Sequence, residues 1–336
     1  MEPETGALKP ETPEWTPCGF WGRNDLMSEP RRRIREFPPW LKRPLPARYD
    51  PSTRQVLEGL RLNTVCQSAE CPNQGECWHR GTATFLILGE HCTRSCGFCA
   101  VSRGPGVPLE TLADEPARVA QAAKQLGLKH AVVTSVTRDD LPDEGAGHFA
   151  RVIQALREWC GPQLVIEVLV PDFHAREECI QTVIQGGPHV FNHNLETIER
   201  LYGPVRPQGD YRRALKVLET AKRLSGQRGL TPISGSLEIG CLSPLTKSGL
   251  MVGLGESQDE VRAAIRDLRA AHCDILTIGQ YLQPSKTHCP VREFVRPEVF
   301  KAYREYALSL GFSAAACGPF VRSSYQAERV LQEARG

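Results

Sequence analysis

Six of the thirteen cysteines in this 336-residue chain fall in one stretch, from Cys66 to Cys99. Thiols packed that densely along a backbone point to cross-linking or metal ligation, and either choice fixes where that part of the chain can go. The total is odd, and the N-terminus is rich in Pro and Glu where a secretory segment would be basic and then apolar. Metal ligation is therefore a stronger expectation than a disulfide framework. The other seven, Cys18, Cys160, Cys179, Cys241, Cys273, Cys289 and Cys317, are scattered and read as small buried hydrophobes or inert surface thiols. Glu2, Glu4, Glu11 and Glu14 argue against a transit peptide. Apolar runs such as Thr84-Phe85-Leu86-Ile87-Leu88 are too short to span a bilayer. A net charge of +2 offers no broad footprint for nucleic acid. The expectation is a cytoplasmic protein with neither membrane nor nucleic acid as partner.

From Thr84 onward, short apolar strands alternate with amphipathic helices, the pattern of parallel βα units. Strands are expected at Thr84–Leu88, Ala131–Val136, Val165–Val170, His189–His193, Ser248–Gly253 and Asp274–Tyr281. Over 115–127, Val119, Ala122, Ala123 and Leu126 share one helical face. Ser257-Gln258-Asp259-Glu260 reads as a capping box ahead of Val261, Ala264, Ile265 and Leu268. A last helix carries Pro297 in its first turn and stops at Gly311. Six such units predict an α/β fold, a partial (β/α)6 TIM-like barrel, with chemistry at the C-terminal ends of its strands. The divisions expected are a Pro-rich arm over 1–50, a cysteine-bearing segment over 51–80, the half-barrel over 81–295, and a C-terminal helix and tail over 296–336 that closes over the site. The run Arg31-Arg32-Arg33-Ile34-Arg35 reads as a solvated face that could also meet an acidic protein.

Cys92, Cys96 and Cys99 are spaced C-x3-C-x2-C and directly follow the first strand. Three thiolates that close suit a cubane better than a structural zinc, which wants four closed ligands. Three cysteines leave one iron of a [4Fe–4S] cluster open, and the amino and carboxylate groups of S-adenosylmethionine (SAM) can chelate it. An electron from the cluster then breaks the sulfonium C–S bond and releases a 5′-deoxyadenosyl radical. Phe98, just before the last cysteine, suits this reading; a zinc knuckle completed by His91 is the alternative. The second set, Cys66, Cys71 and Cys77, is spaced C-x4-C-x5-C and also lacks a fourth cysteine nearby. Taken alone it could be a cluster or a zinc site; beside the first set, two incomplete zinc sites in tandem would be odd.

The two cysteine sets in this order resemble those of the lipoyl synthase family. So do Val132-Val133-Thr134-Ser135-Val136-Thr137-Arg138-Asp139-Asp140-Leu141, Phe191-Asn192-His193-Asn194-Leu195-Glu196-Thr197, Thr246 through Glu256, and Arg322-Ser323-Ser324-Tyr325. The resemblance runs from about residue 37 to about 333. It implies SAM on a Cys92–Cys96–Cys99 cluster and an auxiliary [4Fe–4S] cluster on Cys66, Cys71 and Cys77. Either Ser323 or Ser324 would be the auxiliary cluster's fourth ligand, an alkoxide leaving iron more readily than a thiolate. It also implies that this cluster is the sulfur source, and that the substrate is an octanoyl chain on a lysine of a lipoyl-carrier domain, sulfurated at carbons six and eight. Two hydrogen abstractions then require two SAM molecules per product. Implied partners are glycine cleavage H protein or a 2-oxoacid dehydrogenase E2, a low-potential donor such as ferredoxin or flavodoxin, and an iron–sulfur assembly carrier.

Thr134, Ser135, Glu167, Asn192 and Asn194 are expected at the ends of strands two to four, placed to hold SAM. Lys247 and Arg138 read equally as charge contacts to ligand or substrate protein and as surface ion pairs. Gly253-Leu254-Gly255 fits a tight turn. Residues 225–245 stand out as an insertion of the surface-loop kind. Two other classes match part of the pattern: another radical SAM sulfur-inserting enzyme, biotin synthase-like or methylthiotransferase-like, and a non-catalytic zinc scaffold. The former lack the N-terminal triad paired with a C-terminal Arg-Ser-Ser-Tyr; the latter would be colourless.

Overall fold

The computed structural model describes residues 37–42, 51–69, 71–227 and 243–335. Most of the Pro-rich arm, the Arg31–Arg35 run, Cys18, Cys241 and most of the expected insertion (228–242) lie outside the described residues. Eight strands make one sheet in sequential order. They are β1 (Asn63–Thr64), β2 (Thr82–Ile87), β3 (His130–Ser135), β4 (Val165–Leu169), β5 (Val190–Asn192), β6 (Leu245–Val252), β7 (Ile275–Gln280) and β8 (Ala314–Gly318). β1 lies antiparallel on β2, and every later pair is parallel. The sheet curls as a partial barrel and does not close.

Three helices precede the barrel's connections: α1 (Pro51–Gly59), α2 (Val65–Ser68) and α3 (Gln74–His79). Those between and after the parallel strands are α4 (Glu115–Gln125), α5 (Ala146–Cys160), α6 (Glu177–Gly186), α7 (Tyr202–Val205), α8 (Tyr211–Gln227), α9 (Gln258–Ala270), α10 (Pro297–Ser309) and α11 (Ala327–Arg335). All residues of β2 and of β7 are buried, as expected of parallel strands covered on both faces. Phe85, Ile87, Val133, Ile166 and Val168 pack with Phe149, Val152, Ile153, Ile180 and Val183 from the helices of the first half. In the second half Leu250, Val252, Leu276 and Ile278 meet Val261, Ile265, Leu268, Phe300 and Tyr303. Each such side chain contributes roughly 1.5–3 kcal/mol on burial.

The expected capping box is formed: Glu260 N–H donates to Ser257 Oγ at 3.2 Å, and Ser257 N–H donates to Glu260 Oε2 at 2.8 Å. Pro297 opens α10, and Gly311, at φ +89°, follows its end. Two expectations need correction. The six expected parallel strands are seven: the added one, β8, Ala314-Ala315-Ala316-Cys317-Gly318, carries no β-branched or aromatic residue, and only its place beside β7 makes it a strand. β6 also begins at Leu245, inside the expected insertion, while Ser225 to Gln227 belong to α8.

The barrel interior is polar. Lys247 Nζ on β6 donates to Glu167 Oε1 at 2.8 Å, Asn192 Nδ2 on β5 donates to the same oxygen at 3.1 Å, and His130 Nε2 lies 3.3 Å from Glu167 Oε2. Burial by itself would raise the Glu167 carboxyl; the Lys247 ammonium and His130 outweigh it and hold it down at about 2.

Candidate functional site

β2 leaves the sheet through Leu88 and Gly89, at φ +68° and +97°. The Glu115 carboxylate at the start of α4 pins this exit by accepting Leu88 N–H at 3.0 Å, and His148 braces it at 2.7 Å. The C-x3-C-x2-C loop follows. Cys92 Sγ accepts the N–H groups of Thr137 (3.3 Å) and Arg94 (3.5 Å). Gly97 N–H donates to Val205 O and Gly97 O accepts from Cys289 N–H, both at 2.8 Å. A Cβ on Gly97 would stand 2.5 Å from Cys289 Sγ and 3.1 Å from Pro204 O, so the approach requires glycine.

Arg94 clamps the loop to two strand ends. Its guanidinium, 2% exposed, donates to Asp139 beyond β3 (2.7 and 2.8 Å) and to Asp172 beyond β4 (2.8 Å). Arg213 from α8 closes on the other Asp172 oxygen at 2.9 Å. Burial pushes the Cys96 thiol up to about 12 against the pull of Arg206, and the Cys99 thiol up to about 11. Left to themselves these sulfurs stay protonated at neutral pH; a bound metal would deprotonate them.

The second triad sits on α2, the turn after it, and α3. Thr64 caps α2 by accepting Gln67 N–H at 3.2 Å; Cys71 N–H donates to Cys66 O at 3.0 Å and Cys77 N–H to Asn73 O at 2.9 Å. Cys66, Cys71, Cys77, Thr84 and Ser324 line one small cavity, partly open to solvent. Burial, followed by the neighbouring cysteines, raises Cys66 and pushes Cys77 up to about 12. The C-terminal tail is fastened over this cavity. Asn73 Nδ2 donates to Phe320 O at 2.6 Å, Tyr325 Oη donates to the Glu76 carboxylate at 3.2 Å, and Thr84 Oγ1 donates to Ser324 Oγ at 2.9 Å.

The donor spacing tests which metal these residues suit. Tetrahedral zinc with bonds of about 2.3 Å draws its sulfurs to within about 3.8 Å of one another. Among the described residues, the three-donor set lying within 4.8 Å is Asp139, Glu144 and His174; neither cysteine triad is that tight, and His91 joins none. The Cys66, Cys71 and Cys77 sulfurs share one cavity, and a multi-iron core accepts thiolates spaced more widely than a single zinc ion does. Asp139 and Glu144 are already engaged by Arg94 and Arg176, which leaves that set poorly disposed to a cation.

The expected SAM-contacting residues divide. Ser135 Oγ and Asn192 Oδ1 are buried with no partner among the described residues; Thr134 Oγ1 donates to Leu169 O at 2.8 Å. Asn194 lies two residues past β5 and accepts from Ser323 Oγ at 2.8 Å. Glu167 corrects the expectation: it sits in mid-β4, enclosed, and its oxygens are taken by Lys247, Asn192 and His130. Lys247 and Arg138 are themselves buried; Lys247 pairs with the enclosed Glu167, whereas Arg138 forks onto the exposed Asp140 and packs against Gly106. The half-buried Glu196 and the buried Arg206, which both bear electrostatically on Cys96, carry no separate signal in the sequence reading. Glu196 stands within a quoted motif and gave that much signal; Arg206 gave none. Gly253 and Gly255, at φ +102° and +110°, make the expected turn, with the Glu256 carboxylate accepting the N–H groups of Gly253 and Leu254.

An open parallel βα barrel with a C-x3-C-x2-C loop after its first parallel strand defines a radical SAM enzyme, and a model of the radical SAM superfamily matches residues 86–268. The chain is 51% identical over 299 residues to the lipoyl synthase of Caldanaerobacter subterraneus subsp. tengcongensis, covering 89% of this chain and 98% of that one. To the lipoyl synthase of Chlorobium limicola it is 50% identical over 304 residues, covering 89% and 97%. This chain belongs to the lipoyl synthase family, sulfur-inserting transferases of the radical SAM class. Membership brings a [4Fe–4S] cluster and SAM as cofactors. Among solved structures, methylornithine synthase aligns with a TM-score of 0.48 at 13% identity, over 84% of this chain and 95% of that one. No helix of the described residues is long and apolar enough to cross a membrane.

Proposed function

We propose that the chain inserts two sulfurs, at carbons six and eight, into an octanoyl group on a carrier-domain lysine, with Cys92, Cys96 and Cys99 holding the SAM-cleaving cluster. Bound there, that cluster would supply the electron that splits SAM and frees the deoxyadenosyl radical. Cys66, Cys71, Cys77 and Ser324 would hold a second cluster, consumed as the sulfur-donating substrate. The observation that carries this reading is Ser324: it shares the cavity of the first three cysteines, whereas Ser323 turns away to Asn194. A hydroxyl there can complete a ligand set and release it readily.

The chain's own residues do the remaining work. Arg94 fixes the cysteine loop against the ends of β3 and β4, and Ser135 and Asn192 offer unspent polar atoms toward SAM. The segments 1–50, 51–80, 81–295 and 296–336 then serve as arm, auxiliary-cluster holder, barrel and closing tail. We assign as partners an octanoylated H protein or E2 domain, a ferredoxin or flavodoxin donor and an iron–sulfur carrier, in the cytoplasm. The test is anaerobic incubation of the iron-loaded enzyme with SAM, reductant and an octanoylated peptide, read by mass spectrometry. Gain of two sulfurs by the peptide is the expected result; deoxyadenosine with unmodified peptide under every condition would falsify the proposal.

A further inference from the structure

Ser323 and Ser324 are neighbours in the chain but face different ways. Ser324 meets Thr84 at the cysteine cavity. Ser323 Oγ donates to Asn194 Oδ1 at 2.8 Å, just past β5. Asn194 is engaged on its other sides too. Its Nδ2 donates to Glu196 Oε1 at 3.1 Å, and its carbonyl accepts from Arg206 Nη1 at 3.2 Å. Arg206 and Glu196 bear electrostatically on Cys96, and Glu196 on Cys99 as well. Val205, next to Arg206, holds Gly97 of the C-x3-C-x2-C loop. An unbroken set of contacts therefore joins the tail at one triad to the loop of the other.

The junction is close-fitting. A Cβ on Gly249 would come within 2.8 Å of Asn194 Oδ1 and 2.9 Å of both Ser323 Oγ and Thr277 Oγ1. Glu196 is held at φ +69° by β6, donating N–H to Gly249 O at 2.9 Å and accepting from Met251 N–H at 2.8 Å. Its backbone is thus fixed, and its carboxylate is the part free to answer Asn194.

We infer that Ser323 is a latch: its hydrogen bond to Asn194 ties the position of the C-terminal tail to the side chains beside the SAM-site cysteines, so the state of the second triad is sensed at the first. The inference rests on the proposed function above. Consecutive Cα atoms are 3.8 Å apart, so when Ser324 leaves its iron, Ser323 moves with it. An O–H···O bond of 2.8 Å is lost with a displacement of less than about 1 Å. Asn194 then loses its anchor to the tail, its existing bond to Glu196 shifts, and the groups around Cys96 and Cys99 rearrange. With the latch closed the SAM site is productive; with it open, SAM binds less tightly and is cleaved without sulfur insertion. Ser323 is a positioning residue in this scheme, acting through Asn194.

The test compares full-length Ser323→Ala, Ser323→Thr, Asn194→Ala and the Ser323→Ala/Asn194→Ala double variant with wild type. Reconstituted Ser323→Ala should keep the wild-type iron count, show a KM for SAM raised about five-fold, the worth of one neutral hydrogen bond, and form more deoxyadenosine per lipoyl group. Ser323→Thr, which keeps the hydroxyl, should restore wild-type coupling, and the double variant should be no worse than the poorer single one. In cluster-free protein, amide exchange over 192–197 and 319–326 should quicken in Ser323→Ala and not in Ser323→Thr. Wild-type exchange and coupling in Ser323→Ala, or additive losses in the double variant, overturn the latch. A wild-type enzyme that loads four irons or makes no lipoyl group overturns the functional reading instead, and the exchange result still decides the latch.

Discussion

Single atoms separate the two serines and the two triads, and the separation can be measured. Replacing Cys92, Cys96 or Cys99 with Ala should abolish reductive SAM cleavage. Replacing Cys66, Cys71, Cys77 or Ser324 with Ala should leave deoxyadenosine formation in place and stop lipoyl formation; product from the Cys66 group at the wild-type level would sink the auxiliary assignment. Gly97 offers a sharper check on the loop. Its Cβ position lies 2.5 Å from Cys289 Sγ, the end of a movable side chain, but also 3.1 Å from the backbone of Pro204. Gly97→Ala should therefore lower iron loading at the first triad, and adding Cys289→Ala should recover part of it. Iron analysis of the single and double variants decides the point, and equal loading in all of them would show that the contact is slack.

Among the elements, β4 and β6 are tied across the short β5 by the Glu167–Lys247 pair, both partners nearly inaccessible. Lys247→Met leaves Glu167 charged in the interior, which should cost about 3–5 kcal/mol, visible as a lower melting temperature. Acid acts in the same direction. The Glu167 carboxyl is held at about 2 against an ordinary 4.5. Its contribution is fully present above pH 4.5 and lost as pH falls toward 2. Burial, with Arg206 adding to it, lowers His193 to about 4 from 6.5. The unfolded chain therefore takes up a proton first, and stability begins to fall already below about pH 6.5. Melting temperatures of metal-free protein from pH 7 to pH 3 should decline in those two stages; a flat profile would remove both assignments. At α9, Ser257→Ala breaks a capping box and should cost about 1 kcal/mol, independent of anything at the cysteines.

For the whole molecule, the proposed sulfur source, being built into the chain, would limit turnover. Enzyme alone should yield at most one lipoyl group per chain, and clusters assembled from heavy sulfide should label both product sulfurs. Repeated turnover without a sulfur carrier, or unlabelled product, would leave the sacrificial reading without support. The first cysteine set follows the C-terminal end of β2, whereas the second lies beside its first residues, Thr82 and Thr84, where the antiparallel pairing of β1 carries α2 and α3 and where the tail returns after β8.

The cysteine sets, the βα alternation, the α9 capping box and the α10 boundaries were legible in the sequence because each depends on neighbours a few residues apart. A C-x3-C-x2-C spacing or an N-cap states its chemistry locally. The choice between Ser323 and Ser324 could not be made that way, since their partners Asn194 and Thr84 lie 129 and 240 residues distant. Nor could the enclosure of Glu167, whose lysine is 80 residues on, or Arg206 beside Cys96, or β8, an alanine-rich strand formed only because β7 presents an edge to it. The sequence determined which chemistry this chain carries. Tertiary structure alone decided which of two adjacent hydroxyls faces the cysteines and which buried charges stand beside them, because side-chain direction and desolvation are properties of the packed barrel.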